Sequence, residues 1–305
     1  MFLFKSLSLK KCHLFILSIR DVSSDMVLER LVKVRILESK PWELFILGLV
    51  WTAFAAGISL YLFPAYSSLV SVTFTVMLTL PFVYTSMARE EEIYHEPHGE
   101  LSLMRAHSHL FVCFVSLFLG ILSAYVLWFV LAPEELVADL FAAQAATIAN
   151  VNGATGNVIG ISTFLTIFWH NMRILLVSML LAFFLGAGPI FILTWNASVI
   201  ATAIGAQMRD GLDMINSAEG ALSLGDTIST VAFPFTRYLI HGVPEILAYI
   251  IGGLAGGLIS IAVIRHKFGS SHFLRTIGDA FSMFVLSVFI LLVAAAIEVK
   301  VLAGI

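Results

Sequence analysis

The chain has 305 residues, 59% hydrophobic and only 12% charged, with a mean hydropathy of +0.97, which excludes an ordinary soluble domain. A formal net charge of −3, carried by a few clustered groups, excludes the basic surface that nucleic-acid binding requires. Cys12 and Cys113 fall in separate segments, outside any CxxC or Cys/His run, and so exclude a disulfide framework and a thiolate zinc site.

The first twenty residues mix apolar groups with Lys5, Lys10, Lys11 and Arg20 and lack both an uninterrupted apolar core and a small-residue cleavage site, so a cleaved signal peptide is not expected. Met26 opens a more regular segment. Residues 1–25 therefore read as a short interfacial tail or an upstream start-codon extension of the native protein. From Met26 to Trp42, Leu28, Leu31, Val32 and Leu37 recur near helical spacing against Glu29, Arg30, Lys33 and Arg35, as in a helix lying on a membrane surface. Pro41 and Trp42 read as its break and an interfacial anchor. Residues 1–40 are thus expected to form a tail and interfacial helix, and 41–305 a transmembrane domain.

A spanning helix needs ~20 largely apolar residues, because the hydrocarbon is ~30 Å thick and each residue rises ~1.5 Å. Seven segments qualify, at about 44–64, 66–87, 109–132, 162–185, 188–208, 235–264 and 277–299. The fold class is all-α, a polytopic helix bundle. Between the third and fourth spans, residues 133–161 carry no basic residue and end in an Asn/Gly cluster, the pattern of an external loop with one short amphipathic helix. The "GAGP" at 186–189 permits only a tight reversal, so the fourth and fifth spans should form an antiparallel hairpin.

Basic residues set the orientation. Eight of the 17 Lys and Arg precede the first span, Arg89 and Arg105 sit in the second loop, and Arg265, Lys267 and Arg275 precede the last span. Those thirteen fall on one side if the N-terminus is cytoplasmic and the C-terminus external, the arrangement expected for a cell-membrane protein. The 89–109 loop gathers His95, His98, His107 and His109 beside several glutamates and reads as a solvated charged loop.

Within the spans, ionisable groups are costly and call for a partner or a function. In "RYLIHGVPE", Arg237, His241 and Glu245 share one stripe at i, i+4 and i+8, and the stripe continues through Tyr249, Gly252, Gly256 and Ser260. Its small residues suit close helix packing at Gly252 and Gly256, and with Gly253 and Gly257 leave room for a homodimer contact. The fourth span carries "FWHNMR", with Thr166, His170 and Arg173 on one face and Asn171 adjacent; the fifth adds Asn196. These groups are expected to converge as a proton relay, a cation site or a polar lock between helices. His170, His241 and Glu245 match the donor set of an open zinc site, though no HExxH or other hydrolase spacing accompanies them.

The segments "ESKPWELFILGLVWTAFAA", "FLTIFWHNMRILLVSMLLAFFLGAGPIFILTWNASVI" and "IHGVPEILAYIIGGLAGG" resemble the stage II sporulation protein M (SpoIIM) family, especially its archaeal-type members. The resemblance covers most of residues 30–300. It rests on an HN in the fourth span, an Asn in the fifth and an HGxxE in the sixth, here His170, Asn171, Asn196, His241, Gly242 and Glu245. Pro244, ahead of the acid, departs from the proline position associated with the family. Bacterial namesakes take part in engulfment during sporulation as membrane partners of cell-wall-degrading proteins, which implies envelope protein partners.

Three functions follow as expectations. The first is a transporter or channel-like protein whose intramembrane His/Glu/Asn site binds a cation or relays protons. The second is a non-enzymatic scaffold for envelope proteins, with the polar cluster as a helix-packing lock. The third, an intramembrane metal-dependent hydrolase, stands behind both. The lipid bilayer, a second copy of the chain and envelope proteins are the expected partners.

Overall fold

A chain this apolar must bond its backbone N–H and C=O groups within each segment, and in lipid the helix does so. The computed structural model shows only helices and short connections among the described residues, which are 41–93, 108–154, 161–185, 188–217, 224–265 and 268–302. Side chains are described within 41–81, 111–149, 161–184, 190–213, 242–260, 262–263 and 268–300. The expected surface helix and the tail before it lie outside the described residues, as do residues 94–107 of the expected 89–109 loop, whose first and last residues are helical instead.

In chain order the helices are α1 (Pro41–Leu62), a 3-10 turn (Pro64–Tyr66), α2 (Ser67–Ile93), α3 (Ser108–Leu131), α4 (Glu134–Leu140), α5 (Ala142–Ala154), α6 (Ile161–Leu185), α7 (Gly188–Ser217), α8 (Leu224–Arg265) and α9 (Ser271–Leu302). Among the described residues, α1, α3, α6, α7, α8 and α9 are long and apolar enough to cross a membrane. The remaining expected span falls on α2, whose 27 residues form one helix through Pro81. Large apolar side chains point outward along these helices, among them Phe54, Leu131, Phe184, Phe281 and Phe289, as lipid contact requires.

Several helices outrun their expected boundaries. α7 continues to Ser217, α8 starts at Leu224 rather than near 235, and α9 starts at Ser271 rather than near 277. At ~1.5 Å per residue the 42 residues of α8 cover about 63 Å, twice the hydrocarbon thickness, so this helix projects beyond the membrane.

Small residues set the helix contacts. α1 packs along α3, where a Cβ on Gly48 would stand 2.7 Å from the Leu117 carbonyl oxygen and one on Gly120 would collide with the backbone of Phe45. Only glycine lets the backbones approach so closely. α7 bridges the bundle: it packs on α2 and α3 to one side and on α6 and α8 to the other. α8 makes its broadest contacts with α9 and α6, and the core there is Met172, Leu175, Ile192, Ala248, Tyr249 and Leu291.

Residues 133–154 differ from the expected loop with one short helix: they form two helices, α4 and α5, folded onto the bundle. Phe141, at their junction, packs on Phe129 and Tyr125 with ring centroids 5.0 and 5.9 Å apart. Gln144 is fully buried and donates its Nε2 to Ser198 Oγ of α7 at 3.1 Å and to the Ser68 carbonyl of α2 at 3.4 Å. A row of apolar groups facing inward, Val137, Leu140 and Phe141, supplies the burial that fixes the pair.

Candidate intramembrane polar site

The stripe on α8 turns toward protein, as its spacing implies. Gly252 faces α6 and α9, since a Cβ there would overlap Leu175 and lie 3.4 Å from Ser287 Oγ; a Cβ on Gly256 would overlap the backbone of Met179 in α6. Gly253 and Gly257 are also buried within the chain.

One turn before Gly252 lies Tyr249, and one turn earlier Glu245. Asn171 of α6, only 5% exposed, donates its Nδ2 to Glu245 Oε1 at 2.5 Å. Glu298 of α9 lies close enough to Glu245 for the two carboxyls to interact. Tyr249 is 1% exposed, its hydroxyl has no hydrogen-bond partner among the described residues, and its phenolic oxygen lies in the field of both carboxyls. Three helices therefore bring Asn171, Glu245, Glu298 and Tyr249 into one polar centre sealed below by the Met172–Leu175–Leu291 core.

Helical geometry explains why the HN pair divides. Adjacent residues on a helix point ~100° apart. Asn171 shares its face with Leu175, Ser178 and Ala182, all buried against the protein, whereas His170 and Arg173 are exposed on α6 with Thr166, which bonds back to the Ser162 carbonyl. Asn196 is half-buried on α7 and donates to the Ile192 carbonyl of its own helix at 2.8 Å. Gly242 faces Ile200 of α7. Arg237 and His241 fall on α8, but their side chains lie outside the described residues. Among the described residues no group of three or more His, Cys, Asp or Glu side chains is placed to hold a metal ion.

Of the residues singled out in the sequence, the structure thus joins Asn171 and Glu245. Tyr249, read in the sequence as part of the same stripe but not as a site residue, and Glu298, which was not foreseen, complete the centre. The signal for Glu298 was present: it is the lone acid in the apolar run "LLVAAAIEVKVL", at a position taken as the edge of the last span.

The family model of stage II sporulation protein M matches residues 109–301, well over half of the chain. The chain belongs to this family. The match begins at α3 and includes every residue of the polar centre, so the centre lies within the family's own part of the fold. With the spanning helices, membership makes this a multi-pass membrane protein. No curated protein and no solved structure matches the chain.

Proposed function

We propose that this SpoIIM-family protein is a transporter or channel-like protein of the cell membrane, with its N-terminus cytoplasmic and its C-terminus external, whose polar centre binds a cation or relays protons. The observation that carries this reading is Glu245, held by Asn171 across α6 and α8 and close to a second acid, Glu298, within a bundle of spanning helices. Two neighbouring carboxyl groups can share a proton, and a cation can take the same place. Acidic groups within spanning helices are costly and rare, and where they occur they mark ion and proton pathways. Purified protein in proteoliposomes is expected to carry a proton or cation flux that Glu245→Gln and Glu298→Gln each abolish; flux equal to that of the variants defeats the reading.

A second reading, a scaffold whose polar centre is a packing lock, is favoured by the position of Asn171–Glu245 just above the Gly252 and Gly256 contacts, where it clamps the same helix pair. Under that reading, specific envelope proteins co-purify from native membranes with wild type and with a folded Glu298→Gln variant alike, and no flux appears.

A further inference from the structure

Arg173 stands where a lipid-facing side chain should be apolar. The spanning stretch of α6 runs from Ile161 to Phe184, and Arg173 falls at its middle, twelve residues after the first and eleven before the last. At ~1.5 Å per residue, about 17 Å of helix separates it from either end, well beyond the reach of an extended arginine, so its guanidinium does not snorkel to the headgroups. The side chain is exposed, and among the described residues it has no ion-pair or hydrogen-bond partner. Charged groups at that depth pair with one another, turn into a bundle or line water. Arg173 is turned out of its own bundle and requires cover from outside it.

The charge belongs to a line of polar groups. His170 lies one turn before Arg173, Thr166 one turn before that and Ser162 a turn earlier still, and all are exposed. Leu165, Trp169, Leu176 and Leu180 border the line and are exposed as well. The outward faces of α1, with Val50 and Phe54, and of α9, with Phe281, Val285 and Phe289, show the plain apolar surface that lipid alone demands. On spanning helices, Ser, Thr and His side chains bond across to a second helix, so a narrow polar line with an apolar border is the pattern of a helix–helix seam.

Charge complementarity selects the occupant. An arginine removed from water is stabilised by a carboxylate, which accepts two parallel hydrogen bonds from its planar fork, and is strongly destabilised without one. A second copy of the chain does not supply that acid here. A two-fold axis through this face sets one Arg173 against the other, and Glu245 is held by Asn171, which projects from α6 about 200° away from Arg173.

We propose that the outer face of α6 docks a transmembrane helix of a different membrane protein, one that carries an Asp or Glu at mid-span to pair with Arg173. His170 and Thr166 bond the same helix one and two turns away. The surface lies across α6 from the Asn171–Glu245 contact and rests on neither reading of that centre, since a transporter and a scaffold alike can present it.

The test reconstitutes the full-length protein, labelled with a donor fluorophore, in liposomes with acceptor-labelled synthetic helices of about 20 leucines flanked by lysines. One probe has Asp at its centre, one has Leu there, and a third has the Asp moved two turns toward an end. Energy transfer should show the central-Asp helix binding at least tenfold more tightly than the all-Leu helix and several-fold more tightly than the displaced one. Arg173→Met keeps the apolar stem at an exposed position and should remove the preference. Arg173→Lys should retain part of it, and His170→Ala should weaken it several-fold. Equal binding of the central-Asp and all-Leu helices by the wild-type protein overturns the proposal, as does a preference that survives in Arg173→Met. Energy transfer between two labelled copies of the chain that Arg173→Met abolishes assigns the face to a second copy and overturns the choice of partner.

Discussion

Asn171 and Glu245 meet across α6 and α8, 74 positions apart in sequence, in a hydrogen bond that ties the two helices at the level of the acid pair. Replacing Asn171 with Ala leaves Glu245 without its amide donor and opens a small void beside Met172. Interhelical hydrogen bonds in membranes contribute on average below 1 kcal/mol, so the loss is expected at about 1–2 kcal/mol once the void is added. Denaturant titration in mixed micelles measures it. Asn171→Asp, which offers an acceptor where a donor is needed, should cost more than Asn171→Ala; the reverse order would show that the amide does not donate to Glu245.

Close backbone contact makes a sharper prediction. Gly256 faces the backbone of Met179, which cannot swing aside as a side chain can, whereas Gly278 on α9 has nothing within 4 Å of where its Cβ would stand. Gly256→Ala is therefore expected to destabilise by about 1–3 kcal/mol through overpacking. Gly278→Ala should be neutral or stabilising by about 0.5–1 kcal/mol, because alanine restricts the unfolded chain and favours helix. Thermal unfolding of the two variants side by side reads the difference, and equal shifts would contradict the α6–α8 contact.

These two contrasts show how much was legible in the sequence. The stripe through Glu245, Tyr249, Gly252 and Gly256 was readable because a period of 3.6 fixes which residues share a face, and small residues on that face announce a close neighbour. Length and apolarity gave the spans for the same reason that lipid demands them. What periodicity on one helix does not contain is the rotation of another helix about its axis. His170 and Arg173 were grouped with the site because they lie near Asn171 in sequence, yet the apolar face of Leu175 and Ala182 turns Asn171 inward and the other two outward. Glu298 lay at the end of an apolar run, where an acid usually marks the water interface, so its pairing could be seen only once α9 was set against α8. The α4–α5 segment misled through composition: its lack of basic residues and its terminal Asn/Gly cluster suggested a loop with one short helix, whereas the aromatic contacts that seat Phe141 come from α3.

Arg209 offers a test of the end of the bundle where α3 and α7 meet. Its guanidinium donates to the Ala132 carbonyl, just past the last turn of α3, and lies 5.7 Å from the centroid of Phe129. An arginine here satisfies a carbonyl that the end of a helix leaves without an N–H donor, and its charge also faces the ring's negative face. Arg209→Met retains the apolar stem and removes both polar contacts, so a loss of about 1–2 kcal/mol is expected. Arg209→Lys should recover only part of it, since an ammonium lacks the planar fork that stacks and donates together.

Gln144 carries the last prediction. Its orientation is set by chemistry, because the Ser68 carbonyl can only accept and so must face the amide nitrogen. The amide oxygen then points away, fully buried and without a hydrogen-bond partner, while the nitrogen links α5 to both α2 and α7. Gln144→Leu keeps the volume, removes both donated bonds and removes the bare oxygen as well, so the costs partly cancel and global stability should change by less than about 1 kcal/mol. Gln144→Glu keeps the shape but replaces the donating nitrogen with an acceptor facing two oxygens, and should cost about 2–3 kcal/mol. Loss of the link to α7 should show first as local opening, read as faster proteolysis within residues 133–154 in Gln144→Glu than in Gln144→Leu. Equal and rapid cleavage of both would mean that the amide link, rather than the aromatic packing of Phe141, holds the α4–α5 pair in place.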